Sequence, residues 1–178
     1  MDAEVRRQAF AVAFATQGRS DWDVYKHFSA LTKPSFPQCH TLHHLQMATE
    51  KIAKAYRIRD TAADVDELVK HHTGFVEFIN QFFRCETIRN EYRGQDAALQ
   101  TLQRNATALA REIEKLAPAT GRLSSPENAE YPWERDEKIL VPCTFDFPNL
   151  TMLRQASGRA VMNLVERAFN DFERLRIQ

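Results

Sequence analysis

Apolar residues recur at alternating steps of three and four through most of this chain, and that period commits it to helices. The cleanest stretch is Leu99, Leu102, Ala106, Leu109, Ile113 and Leu116, a seam that only a helix places on one side. A denser set, Val65, Leu68, Val69, His72, Phe75, Val76, Ile79, Phe82 and Phe83, predicts a helix over about 64–84 buried against more than one neighbour. Leu42, Leu45, Ala48, Ile52, Ala55 and Tyr56 place a core face on a helix over about 37–58. Lys51, Lys54 and Arg57 fall off that face and are expected in solvent. Near the N-terminus, Val5, Ala9, Val12 and Ala13 form one stripe, with Gly18 where a C-terminal cap belongs. Ser20 and Asp23 then resemble a capping box for a second helix carrying Trp22, Tyr25, Phe28 and Leu31, which should stop before Pro34.

Five glycines and seven prolines in 178 residues leave too few turn residues for an all-β sandwich and exclude collagen-like or disordered classes. Four of the prolines, Pro126, Pro132, Pro142 and Pro148, fall in one segment, about 119–148, where the helical period lapses. We read it as an ordered excursion pinned by Tyr131, Trp133, Phe145 and Phe147, with Ile139-Leu-Val extended. A last helix is expected from about Asn149, burying Leu153, Val161, Leu164 and Phe169 and bending at Ser157-Gly158. The expectation is a single all-α domain over 1–178, an up-and-down bundle of five or six helices with one irregular Pro- and aromatic-rich excursion.

Function is less constrained. Twenty-four basic residues balance 24 acidic ones, so binding to nucleic acid must come from a local patch. No run is apolar enough to span a membrane, and the N-terminus lacks a signal core. Cys39, Cys85 and Cys143 show no paired spacing, which fits a cytoplasmic protein without a disulfide framework. His40 and His44 stand at the i, i+4 spacing of a metal-binding helix, but Thr41 occupies the place of the glutamate and no third ligand is visible, so no metal is expected. Cys39 adjoins His40, yet neighbours on a helix diverge too far to act as nucleophile and base. No Glu-x-x-His and no glycine-rich phosphate loop occurs, and no cofactor is expected. The one basic cluster is Arg84, Arg89 and Arg93 with Asn90 and Tyr92; it could offer guanidinium groups and a stacking ring to RNA or a nucleotide. Glu86 and Glu91 would offset part of its field.

Three segments carry a family resemblance. Ser20-Asp-Trp-Asp-Val-Tyr, then His43-His-Leu-Gln-Met-Ala-Thr-Glu-Lys-Ile-Ala-Lys-Ala-Tyr56, then Val69-Lys-His-His-Thr-Gly-Phe75 together resemble the HEPN (higher eukaryotes and prokaryotes nucleotide-binding) helical domains over about residues 8–117. The resemblance implies a helical bundle, commonly dimeric, in defence, toxin–antitoxin, mobile-element or RNA-processing settings. Active members are metal-independent ribonucleases using an Arg-x4-6-His motif. Arg89-Asn90 is similar to its opening, but no histidine follows any arginine at that distance. The resemblance therefore implies a non-catalytic binding and assembly protein, self-associating, with a protein, RNA or nucleotide partner. The alternative is a ribonuclease whose histidine, such as His43 or His71, comes from elsewhere in the fold.

Overall fold

A computed structural model describes residues 2–31, 36–61, 63–118 and 127–177. Pro34 and Pro126, given roles above, lie outside the described residues. The protein is an all-α bundle with one irregular excursion. Its helices are α1 (Ala3–Ala30), α2 (Gln38–Asp60), α3 (Val65–Leu68), α4 (Phe75–Phe82), α5 (Glu86–Glu91), α6 (Asp96–Glu114) and α7 (Ala156–Asn170). Strands β1 (Trp133–Arg135) and β2 (Lys138–Leu140) interrupt them.

α2 is the central rod, with buried residues from Cys39 to Arg59. It runs antiparallel to α1: Arg7 bonds Thr61, Asp21 pairs with Lys51, and the Phe28 ring meets His44. α7 lies on the same rod, the Tyr56 hydroxyl donating to the Ala168 carbonyl at 2.9 Å. α4 and α6 close the bundle, held by Thr107 and Asn80 and by Glu114, which accepts from the N–H groups of Gly74 and Val76. Those two donors are orphans at the start of α4, and the carboxylate satisfies both.

Five expectations are corrected. No cap or capping box divides residues 3–30; they form one helix, and Gly18 within it serves packing, since a Cβ there would lie 3.0 Å from Lys51 Cβ and 3.2 Å from Phe169 Cε1. That glycine lets α1 approach α2 and α7. The inward face of α1 is accordingly Ala11, Gly18, Trp22 and Tyr25, and the expected stripe of Val5, Ala9, Val12 and Ala13 is exposed. The 64–84 helix breaks into α3 and α4 at Gly74, whose φ of 122° is outside the helical region. His72 in that break is half exposed rather than core. The last α-helix starts at Ala156, preceded by a 3-10 helix over Pro148–Arg154, so the bend falls at extended Gln155.

The excursion is ordered where described. Arg135 pairs with Lys138 across a two-residue turn in which Asp136 and Glu137 both have positive φ, the twist that tight antiparallel hairpins require. The Trp133, Phe145 and Phe147 rings pack edge-to-face beneath it, with centroids 5.0 Å apart for the two phenylalanines. Tyr131, expected among the pins, is 60% exposed.

Candidate binding cleft and buried polar network

The basic cluster sits on the corner between α4 and α6. α5 is anchored by Ile88, which is fully buried, so the residues on its opposite side face solvent. Tyr92 caps α5, Gly94 turns back at φ 79°, and α6 begins at Asp96. This folding brings Arg84, Arg89, Asn90 and Arg93 to one open cleft of about 810 Å3, which Glu86 and Asp96 also line. Tyr92 is half-buried and is not among the lining residues. Among the described residues Arg84 and Arg89 make no ion pair, and Arg93 donates only to the Asn90 side chain, at 3.2 Å.

The acidic neighbours do not act alike. Glu91 turns away and forms a two-pronged pair with Arg167 of α7. That hydrogen-bonded guanidinium holds the Glu91 carboxyl below the usual carboxylate range, and the charge is spent outside the cleft. Glu86 and Asp96 remain against three arginines, a net excess of one positive charge along the cleft. No histidine lines it among the described residues. Guanidinium groups so placed can hold phosphate oxygens.

A second constellation runs along α2, and sequence reasoning placed part of it in solvent. Lys54 is 4% exposed and donates to Glu50 at 2.6 Å, while Gln46 and His72 approach the other Glu50 oxygen at 2.7 and 3.1 Å. Burial pushes the Glu50 carboxyl up, but Lys54, Gln46 and His72 together outweigh it and leave it below its ordinary value. Lys51 is likewise mostly buried and donates to Asp21 at 2.6 Å. The Glu-Lys-x-x-Lys-Ala segment that carries the family resemblance is thus an internal ion-pair network. Its signal was the i, i+4 spacing of Gln46, Glu50 and Lys54, which on a helix aligns all three.

His43 and His44 meet edge-to-face beside this network, His43 Nδ1 lying 3.4 Å from Glu130 and His44 Nδ1 3.6 Å from Asp21. Among the described residues no group of three or more His, Cys, Asp or Glu side chains is arranged to hold a metal ion. Cys39, at the start of α2, has its thiol pushed up by burial, opposite to the shift that activates a nucleophile. Burial, and then the neighbouring His43, lowers the His44 pKa from its ordinary 6.5. The unfolded chain therefore takes up a proton as pH falls through about 6.5 while the folded chain resists it. Stability should be fully present above that pH and decline below it, and thermal melts at stepped pH should show a shallower decline for His44→Asn. An unchanged slope in that variant would assign the effect elsewhere.

No helix among the described residues is long and apolar enough to cross a membrane. No family model, curated protein or solved structure matches this chain.

Proposed function

We propose that this protein is a non-catalytic, HEPN-like binding and assembly protein that holds single-stranded RNA or a nucleotide by its phosphates in the α4–α6 cleft. What supports the reading is one observation: Arg84, Arg89 and Arg93 line a common cleft without being consumed by ion pairs, while Glu91 is drawn off by Arg167. Guanidinium groups suit this work because they are weakly hydrated and can grip phosphate oxygens two at a time. Asn90 adds a side-chain amide to the same wall. The assembly half of the proposal has its own support in the exposed stripe of Val5, Ala9, Val12 and Ala13 on α1, small side chains that let a second copy approach closely. A bacterial defence, toxin–antitoxin or mobile-element setting and a cytoplasmic location go with this reading.

The test is fluorescence polarisation with a labelled single-stranded RNA, in the presence of chelator. Three phosphate contacts predict a log–log salt slope of about −2, at roughly −0.7 per contact. The triple variant Arg84→Gln, Arg89→Gln, Arg93→Gln should bind about tenfold or more weakly and lose most of that slope. The RNA should remain intact throughout. Cleavage that disappears in Arg89→Ala and in His43→Ala or His71→Ala would replace this reading with the ribonuclease alternative.

A further inference from the structure

A second cleft lies away from the arginine corner, where the C-terminal end of α1 and the first turns of α2 meet the join between the 3-10 helix and α7. It encloses about 470 Å3, inside the range of roughly 300–1,000 Å3 typical of small-molecule clefts. Phe28, Phe36, Leu42 and Leu153 supply its apolar wall, Ser29, Gln38 and Thr41 a polar edge, and among the described residues its charged lining residues are Arg154 and Arg159. Phe28 and Phe36 meet at a tilt with ring centroids 4.3 Å apart, and His44 packs edge-to-face with Phe28 at 5.7 Å. Leu42 forms a closed floor at 1% exposure.

The two arginines are placed by a tight corner at Gly158. Gly158 has no room for a Cβ, which would stand 2.1 Å from the Met152 carbonyl oxygen, and this contact folds Arg154 back toward Arg159. Arg159 Nη1 then donates to the Arg154 carbonyl at 2.9 Å. Both guanidinium groups are exposed, and neither forms an ion pair among the described residues. The combination selects against most ligands. An uncharged apolar molecule leaves both guanidinium groups unused, and a bare inorganic anion leaves the phenylalanine walls wet.

We propose that this cleft binds a small amphiphilic anion, its carboxylate or phosphate headgroup on Arg154 and Arg159 and its apolar body against the Phe28–Phe36 pair and Leu153. Charge complementarity fixes the headgroup, since among the described residues no Asp or Glu lines the cleft to hold a cation. The apolar walls fix the body, because removing its surface from water is the favourable step.

The experiment is calorimetric titration of the full chain with decanoate, decyl phosphate and uncharged decanol, all below their aggregation concentrations. At least one of the two anions should bind about tenfold or more tightly than decanol. The tighter of the two identifies the headgroup as a carboxylate or a phosphate. Arg154→Gln with Arg159→Gln should erase the preference while leaving the far-UV circular dichroism spectrum unchanged, as both side chains are solvent-exposed. The arginine-corner variant Arg84→Gln, Arg89→Gln should keep it, which separates this site from the proposed RNA cleft. Equal binding of decanol and the anions, retained preference in the Arg154/Arg159 variant, or no binding up to about 1 mM would each overturn the proposal.

Discussion

Replacing Arg59 by alanine should destabilise the protein by about 3–5 kcal/mol, the range for breaking one side of a buried ion pair. Arg59 lies at the end of α2 with its side chain 5% exposed, paired with Asp60, which is 3% exposed. Its guanidinium lies against both the Tyr56 and Phe172 rings, 4.6 and 4.5 Å from their centroids, and donates to the carbonyls of Phe172 and Leu175. One side chain therefore fastens the residues after α7 to the central rod. Asp60 completes the fastening by accepting the Ile177 N–H at 2.8 Å. Truncating Arg59 leaves two carbonyls without their donor and the buried Asp60 carboxylate with only the Ile177 N–H and a distant Arg176 at 3.9 Å, and that under-compensated charge is the larger part of the loss. At roughly 2–4 °C per kcal/mol for a chain of this size, the melting temperature should fall by about 10 °C or more. Lysine should not rescue it, because a single ammonium cannot reach two carbonyls and a carboxylate while stacking on two rings. A melting temperature within about 2 °C of wild type for Arg59→Ala would show that the tail is held by its apolar residues alone. Adding Asp60→Asn to Arg59→Ala should recover part of the loss, since it removes the stranded charge.

How far such features could be read from the chain depends on whether their causes are local. The α6 seam was legible because one face meets the core and the other meets water, so period alone locates it; Ala106, Leu109 and Ile113 are all buried as that period requires. α1 was misread for the opposite reason. Its packing face is built from Ala11 and Gly18 as well as Trp22 and Tyr25, and small residues that allow close approach carry no hydrophobic signal. Lys51 and Lys54 were misplaced because an ion pair can bury an ammonium, and Asp21 is contributed by another helix. The candidate cleft was legible in part, since Arg89 and Asn90 share one short helix and Arg93 lies in the turn just after its cap. What no local pattern reveals is the diversion of Glu91 to Arg167, 76 residues further along. The second cleft was invisible for the same reason: Phe28, Phe36 and Arg159 meet only in the folded chain.

Glycine to alanine on a helix ordinarily stabilises by up to about 1 kcal/mol, because alanine is the better helix former and narrows the unfolded ensemble. Gly158→Ala should reverse that sign. Gly158 lies in the first turn of α7 with helical backbone, so no conformational demand singles it out. The constraint is the space beside it. A Cβ there would stand 2.1 Å from the Met152 carbonyl oxygen, 2.7 Å from Leu153 Cα and 2.8 Å from Met152 C. All three are backbone atoms of the preceding 3-10 helix, which cannot swing aside as a side-chain tip would. Overpacking of this kind costs about 1–3 kcal/mol when side chains can adjust, and an immovable backbone places this case at or above the top of that range. The expected readout is a loss of about 6 °C or more in melting temperature. Gly18→Ala provides the internal comparison: its nearest contacts are 3.0 Å to Lys51 Cβ and 3.2 Å to the Phe169 ring. Those side chains can give by a few tenths of an ångström, so Gly18→Ala should be distinctly milder. Because the Gly158 corner also sets Arg154 beside Arg159, the same alanine should weaken amphiphilic-anion binding at temperatures where the variant is still folded. A Gly158→Ala protein as stable as wild type would mean that the 3-10 helix and α7 are free to separate, and the close corner would then explain neither stability nor the second cleft.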